Sequence, residues 1–160
     1  MMPPEGRPAW TVKDGALVKP PNGPELVSQL MFKNFKLHLE FNCGRKANSG
    51  VYLRGRYEVQ IETDSSGAPP SHHTGAVYGF IAAQPEAPRR PDLWQTYDIT
   101  LLGRYVTVVL NGRTIIDHQE IPGITGGALD SHEGMQGPIY LQGSEGGKVL
   151  YRNIVITPGW

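Results

Sequence analysis

Apolar and polar residues alternate along this chain in short runs with the period of two that a half-buried strand requires. The longest run is 48–64, N-S-G-V-Y-L-R-G-R-Y-E-V-Q-I-E-T-D, and it predicts an extended segment around which the rest is organised. Val51, Leu53, Tyr57, Val59 and Ile61 fall on one face, while Tyr52, Arg54, Arg56, Glu58, Gln60 and Glu62 fall on the other. The first face predicts core. The second is an ordered row of cations, carboxylates and an amide beside an aromatic ring, whereas an ordinary solvent face scatters its charges among Lys, Thr and Ser. Such a row reads either as a ligand site or as a surface ion-pair ladder, and alternation alone does not separate the two.

Further strands are predicted at 10–12, 16–19 and 26–28, read as a meander punctuated by Asp14-Gly15 and the 20–24 cluster P-P-N-G-P. Residues 35–41 alternate cleanly, with Lys36, His38 and Glu40 outward. Another strand covers 94–102, with Tyr97, Ile99 and Leu101 inward, and 105–110 pairs with 114–117 across Asn111-Gly112, a strong hairpin signal. Runs at 139–142 and 149–156 complete the set. About a dozen strands without a clear helix predict an all-β, two-sheet antiparallel sandwich of jelly-roll type.

Composition narrows this further. At 160 residues and 39% apolar content the chain predicts one domain, 1–160, able to bury a core without staples. Fifteen basic residues match fifteen acidic ones, so no overall field draws in nucleic acid or an acidic membrane surface, and a neutral partner is expected. The single Cys43 excludes an internal disulfide, and no Cys/His spacing resembles a zinc site. No run is apolar for the length of a membrane span, and the start M-M-P-P-E-G-R-P has no signal-peptide core. The expectation is a soluble chain, secreted or periplasmic if a leader has been trimmed ahead of it, with the oligomeric state open.

Two long loops carry the remaining candidate chemistry. Residues 65–92 form a proline-rich rim loop with His72, His73, Tyr78, Arg89 and Arg90, and 121–137 contain Asp130, His132 and Glu133. Loops of this length in a compact domain are commonly functional. The histidines can ligate a metal or move protons, or they are simply solvated.

The ordered set W-T-V-K-D-G-A-L-V, F-K-N-F-K-L-H-L-E-F, N-S-G-V-Y-L-R-G-R-Y-E-V-Q-I, G-A-V-Y-G, W-Q-T-Y-D-I, V-L-N-G, G-G-A-L-D, G-P-I-Y-L-Q and Y-R-N-I-V-I resembles the 3-keto-disaccharide hydrolase family over residues 10–156. The resemblance implies a concanavalin A-like lectin/glucanase fold, a carbohydrate partner, and a concave groove that holds the polar row. Arg54, Arg56, Glu58, Gln60, Glu62 and Gln142 would then hydrogen-bond a sugar, with Tyr52, Tyr78 or Trp94 as an aromatic platform for its C–H face. Two features depart from the family. Its usual opening segment is not intact, and after Leu141-Gln142 the chain reads Gly143-Ser144-Glu145-Gly146-Gly147 where members commonly have an acidic residue and a histidine. If that histidine is catalytic elsewhere, His72, His73, His132 or Glu145 would have to replace it here, or the activity is lost.

Glu58-Val59-Gln60-Ile61-Glu62 is superficially similar to the Glu-x-Asp-x-Glu strand of bacterial glucanases of this fold. On an extended strand Glu58 and Glu62 are roughly 13 Å apart at Cα, against the about 5–5.5 Å carboxyl separation of a retaining glycosidase. A 3-keto sugar asks for less: a base removes the acidified C2 proton, the enolate is stabilised, and the C1 substituent leaves before water adds. The expectation is Glu58 as base, with Arg54 and Arg56 stabilising the enolate and depressing the Glu58 pKa. A divalent metal on His72, His73, His132 or Glu133 could replace the arginines, and structural calcium held by carbonyls leaves no sequence signature. The competing expectation is a non-catalytic, lectin-like module.

Overall fold

The computed structural model of the protein describes residues 9–64 and 67–159, so the first eight residues and the first two of the expected rim loop lie outside the described residues. Among the described residues eleven strands are seen: β1 Thr11–Lys13, β2 Ala16–Lys19, β3 Leu26–Phe32, β4 Phe35–Cys43, β5 Asn48–Leu53, β6 Tyr57–Glu62, β7 Trp94–Leu102, β8 Tyr105–Leu110, β9 Arg113–Glu120, β10 Gly137–Leu141 and β11 Val149–Pro158. They form two antiparallel sheets, one ordered β1-β2-β11-β4-β7-β8-β9 and the other β3-β10-β5-β6. The predicted all-β sandwich is what forms. A 3-10 turn, Pro70–His72, interrupts the rim loop. No helix among the described residues is long and apolar enough to cross a membrane.

The sheets meet through the alternating apolar faces. Phe35, Leu37, Leu39 and Phe41 of β4 and Tyr97, Ile99 and Leu101 of β7 pack in one core with Val51, Leu53, Tyr57, Val59 and Ile61 of β5 and β6. Each such aliphatic or aromatic side chain contributes about 1.5–3 kcal/mol by leaving water. Asn111 and Gly112 take φ of 52° and 80°, as a two-residue hairpin turn demands, and Asp14 and Gly15 repeat the device at 52° and 77°.

Two expectations are corrected. The first three strands are not a meander, because β3 leaves the sheet of β1 and β2 and pairs with β10 in the other one. The Pro20-Pro21 and Pro24 breaks between β2 and β3 give the chain room to cross over. Nor is 48–64 one strand. It folds back as the β5–β6 hairpin, with Arg54 and Gly55 at φ of 53° and 67° in its turn. Alternation survives a two-stranded hairpin unchanged, so the polar row kept its period while doubling back. Tyr52 consequently faces Glu58 across the hairpin, and Asn48 faces Glu62.

Candidate functional site

Alternation on β5 and β6 sends the side chains of Tyr52, Glu58 and Gln60 away from the core, yet they are 2%, 3% and 2% exposed. Loops roof this face instead of solvent. One side of the roof is the rim loop, which zips onto the free edge of β6: Gln60 N–H donates to Ala76 O, Gly75 N–H to Gln60 O and Tyr78 N–H to Glu58 O, at 2.9–3.1 Å. The other side is the 121–137 loop. The groove left between them measures about 290 Å³ and is lined by Asn48, Tyr52, Glu58, Gln60, Tyr78, Gly126, Gly127, Gln142 and Glu145.

Glu58 lies at its floor. Gly50, across the hairpin, clears the space: a Cβ there would come within 2.8 Å of Glu58 Cγ and closer still to Oε2. Oε2 is buried and has no hydrogen-bond partner, while Oε1 lies 3.2 Å from the Tyr52 hydroxyl. Burial pushes the Glu58 pKa up to about 8, and the Glu145 and Glu25 carboxylates add to this, against the Tyr52 hydrogen bond. Tyr52 has one phenolic proton, and its shorter bond, 2.6 Å, runs to Gly126 O. With that proton committed, a protonated Glu58 can donate to the Tyr52 oxygen, and an ionised one can draw the proton toward itself.

Tyr52 stacks on Tyr140, ring centroids 4.1 Å apart, and the Tyr140 hydroxyl donates to Gly127 O. The two phenols thus clamp the Gly126-Gly127 segment over the groove. Gly127 needs its φ of 83°, and a side chain there would come within 2.6 Å of the Tyr52 hydroxyl. Thr125 completes this wall: its hydroxyl accepts from Glu58 N–H at 3.0 Å.

Gln60 turns its amide oxygen to its neighbour, accepting from Ile61 N–H at 3.2 Å, so its NH₂ donors are the end left for a ligand. Gln142 offers the opposite polarity, with a buried Oε1 that has no partner. Tyr78 stands at the rim, half-buried and backed by a stacked His72 ring at 4.3 Å.

Several expected residues lie elsewhere. Arg54, in the hairpin turn, points to the end of the sandwich, where it donates to Lys33 O at 3.2 Å and Gly103 O at 2.8 Å and sits over the Tyr57 ring. Arg56 grips the 121–137 loop through Asp130 at 2.9 Å and Met135 O at 2.9 Å. Neither lines the groove, so the expected arginine pair beside Glu58 is corrected, and with it the sign of the Glu58 shift, which is upward. The reason is the turn: a strand would have carried the row onward, whereas the hairpin swings both arginines past the sheet end. Glu62 is outside the groove as well, receiving Thr74 N–H at 3.3 Å and lying 3.8 Å from Arg89 Nε. Trp94 belongs to the outer face of the other sheet and carries the Arg152 guanidinium 3.7 Å from its ring centre.

The metal candidates are dispersed. His73 uses both ring nitrogens, on Glu86 and on Ala68 O. His132 is exposed, 3.6 Å from Asp130, and Glu133 receives the Tyr57 hydroxyl at 2.9 Å. Among the described residues no three His, Cys, Asp or Glu side chains gather to hold a metal ion. Asn48, Gly50, Thr125, Gly126, Gly127 and Tyr140 were not singled out from the sequence. Their signal in the sequence was membership of the family-like motifs, Asn48 and Gly50 in N-S-G, Gly126 and Gly127 in G-G-A-L-D and Tyr140 in G-P-I-Y-L-Q, while Thr125 had none.

A jelly-roll-like sandwich whose smaller sheet carries a roofed polar groove is an architecture shared by lectin domains among others. The chain belongs to the 3-keto-alpha-glucoside-1,2-lyase-like domain family, whose model matches residues 3–157. It is similar to two solved structures of provisionally named glycosyl hydrolases from Parabacteroides distasonis. One is 27% identical at TM-score 0.78, covering 94% of this chain and 74% of that one. The other is 25% identical at 0.73, covering 94% and 90%. A carbohydrate-binding module from Bacillus subtilis shares the fold at TM-score 0.57 and 10% identity, covering 92% of this chain and 90% of its own. No curated protein matches the sequence.

Proposed function

We propose that this protein cleaves the glycosidic bond of a 3-keto-glucoside in the β5–β6 groove, by elimination across C1 and C2 followed by addition of water, with Glu58 as the base. The observation that carries this reading is the Glu58 carboxylate itself. It is buried on the groove floor with one oxygen unpartnered, and its pKa is pushed up to about 8. A carboxylate of that basicity, screened from water, is suited to removing a carbon-bound proton acidified by a neighbouring ketone.

In the proposed sequence Glu58 Oε2 takes the C2 proton, the C2–H electron pair moves into the enolate of the C3 ketone, and the enolate re-forms the carbonyl as the C1–O bond breaks. The departing alkoxide takes the proton back from Glu58. Water then adds to C1 of the resulting enone, with its proton going to C2, so the net change is hydrolysis. The NH₂ groups of Gln60 and Asn48 are the neutral donors available to the enolate oxygen in place of the arginines. Tyr78, backed by His72, supplies an aromatic face for the sugar ring.

The test is product analysis by NMR with a panel of 3-keto-disaccharides, using the parent protein and Glu58→Gln. Cleavage by the parent and none by the variant supports the reading. Binding of intact sugar by both without cleavage replaces it with a lectin-like module.

A further inference from the structure

Resting on the carbohydrate reading above, we propose that the groove selects its sugar by charge, with Glu145 as the residue that sets the selection: sugars bearing a carboxylate or phosphate are rejected, and neutral or ammonium-bearing sugars are accepted.

The groove wall contains two carboxylates, Glu58 and Glu145, and among the described residues no Lys, Arg or His lines it. Arg54 and Arg56, the nearest candidates by sequence, are spent on backbone carbonyls and on Asp130. The groove-lining side-chain atoms that are buried without partners are Glu58 Oε2 and Gln142 Oε1, the second an acceptor at any pH and the first an acceptor once ionised. A ligand can satisfy Gln142 Oε1 only with a donor, which hydroxyl and ammonium groups have and an anionic oxygen lacks. A carboxylate or phosphate placed there would set acceptor against acceptor at Gln142 and meet the charge of Glu145, to which Glu58 adds its own repulsion as it ionises near pH 8.

Glu145 is held in place for this role. It stands in the loop Gly143-Ser144-Glu145-Gly146-Gly147, whose glycines would otherwise leave it loose. Its backbone oxygen receives the Lys19 ammonium at 2.7 Å and Asn22 N–H at 3.0 Å. Lys19 Nζ also donates to Gly147 O at 2.9 Å, and Asn48 N–H fastens Gly146 O at 3.0 Å. Lys19 is wholly out of solvent, and this burial lowers its pKa. Burying an ammonium is costly. Spending it on a glycine-rich loop fixes the backbone from which its one long side chain, Glu145, reaches the groove. Glu145 is itself exposed, and its charge is felt at Glu58.

The experiment measures binding, so that it does not depend on catalysis. Methyl glucoside, methyl glucosaminide and methyl glucuronide, all unoxidised, are titrated at pH 7 and low salt into the parent and into Glu145→Gln, whose fold is checked by thermal melting. The parent is expected to bind the glucuronide about tenfold or more weakly than the glucoside, and the glucosaminide at least as well as the glucoside. In Glu145→Gln the glucuronide penalty shrinks to about threefold or less. Equal affinities for the three sugars, a ranking unchanged in Glu145→Gln, or no saturable binding of the glucoside overturns the proposal. Failure of the parent to cleave a neutral 3-keto-glucoside overturns the elimination reading alone, since the charge ranking is read from sugars that cannot react.

Discussion

Gly50 and Glu58 face the same side of the β5–β6 hairpin on adjacent strands, and the missing side chain of the first is the space occupied by the carboxylate of the second. A methyl group at Gly50 meets the flexible end of Glu58, not backbone, so the carboxylate is displaced and the hairpin is kept. Gly50→Ala is expected to lower kcat for a 3-keto-glucoside by about 100-fold, the usual penalty for misplacing a reacting group by an ångström. The melting temperature should move by only a few degrees. Full activity in this variant would remove Glu58 from the reacting position.

The raised pKa of Glu58 fixes a pH profile. Only the ionised carboxylate can take a proton, so kcat/KM for a 3-keto-glucoside should climb through an inflection near pH 8 and level off above it. A profile already flat from pH 5 upward would mean that another group, or an unshifted carboxylate, is the base.

The same shift predicts a stability effect of definite sign. Glu58 titrates about 8 in the folded protein against 4.5 for an unperturbed glutamate. Between these values the folded protein holds a proton that the unfolded chain has lost, so stability falls as pH rises, and the loss is complete above about pH 8. Its size is on the order of 3–5 kcal/mol. Glu58→Gln, which cannot ionise, should therefore gain on the parent in urea melts between pH 5 and pH 9. An advantage that stays constant across that range would contradict the buried, destabilised carboxylate.

Arg56 ties the hairpin turn to the loop that forms one wall of the groove. Arg56→Met removes the bond to Asp130 and those to Met135 O and Gln136 O, and is expected to destabilise the fold by about 2–4 kcal/mol. Hydrogen exchange should quicken over 125–137 before it does so elsewhere. Asp130→Asn should do less, because that carboxylate is 37% exposed and solvent screens its pairing. Unchanged exchange in the Arg56 variant would mean that the loop is held by its other contacts.

Much of this was legible in the alternation. The core faces of β4, β7 and the β5–β6 segment, the Asn111-Gly112 turn and the two-sheet class all follow from local patterns that tertiary context reinforced. The hairpin at Arg54-Gly55-Arg56 was hidden because its turn residues, two arginines about a glycine, continue the polar row in step. From that one omission came the misplaced arginines and the wrong direction for the Glu58 pKa. Tyr52 and Gln60 line the groove beside Glu58 because the three share one parity on the β5–β6 hairpin. Gly126, Gly127 and Tyr140 could not be picked, because they reach the groove from other parts of the chain and their function there is to fill or to clear space.

The order of strands in the larger sheet also dictates when the protein can fold. β11 lies between β2 and β4, pairing with both, so the earliest and middle parts of that sheet have no hydrogen-bonded connection until residues 149–158 arrive. A chain emerging from the ribosome can form the β5–β6 and β8–β9 hairpins on its own, but the sandwich closes only after β11 has been made. Closure of the sandwich is therefore expected to wait for residues 149–158 to be made, with the open edges of β2 and β4 exposed to other nascent chains until then.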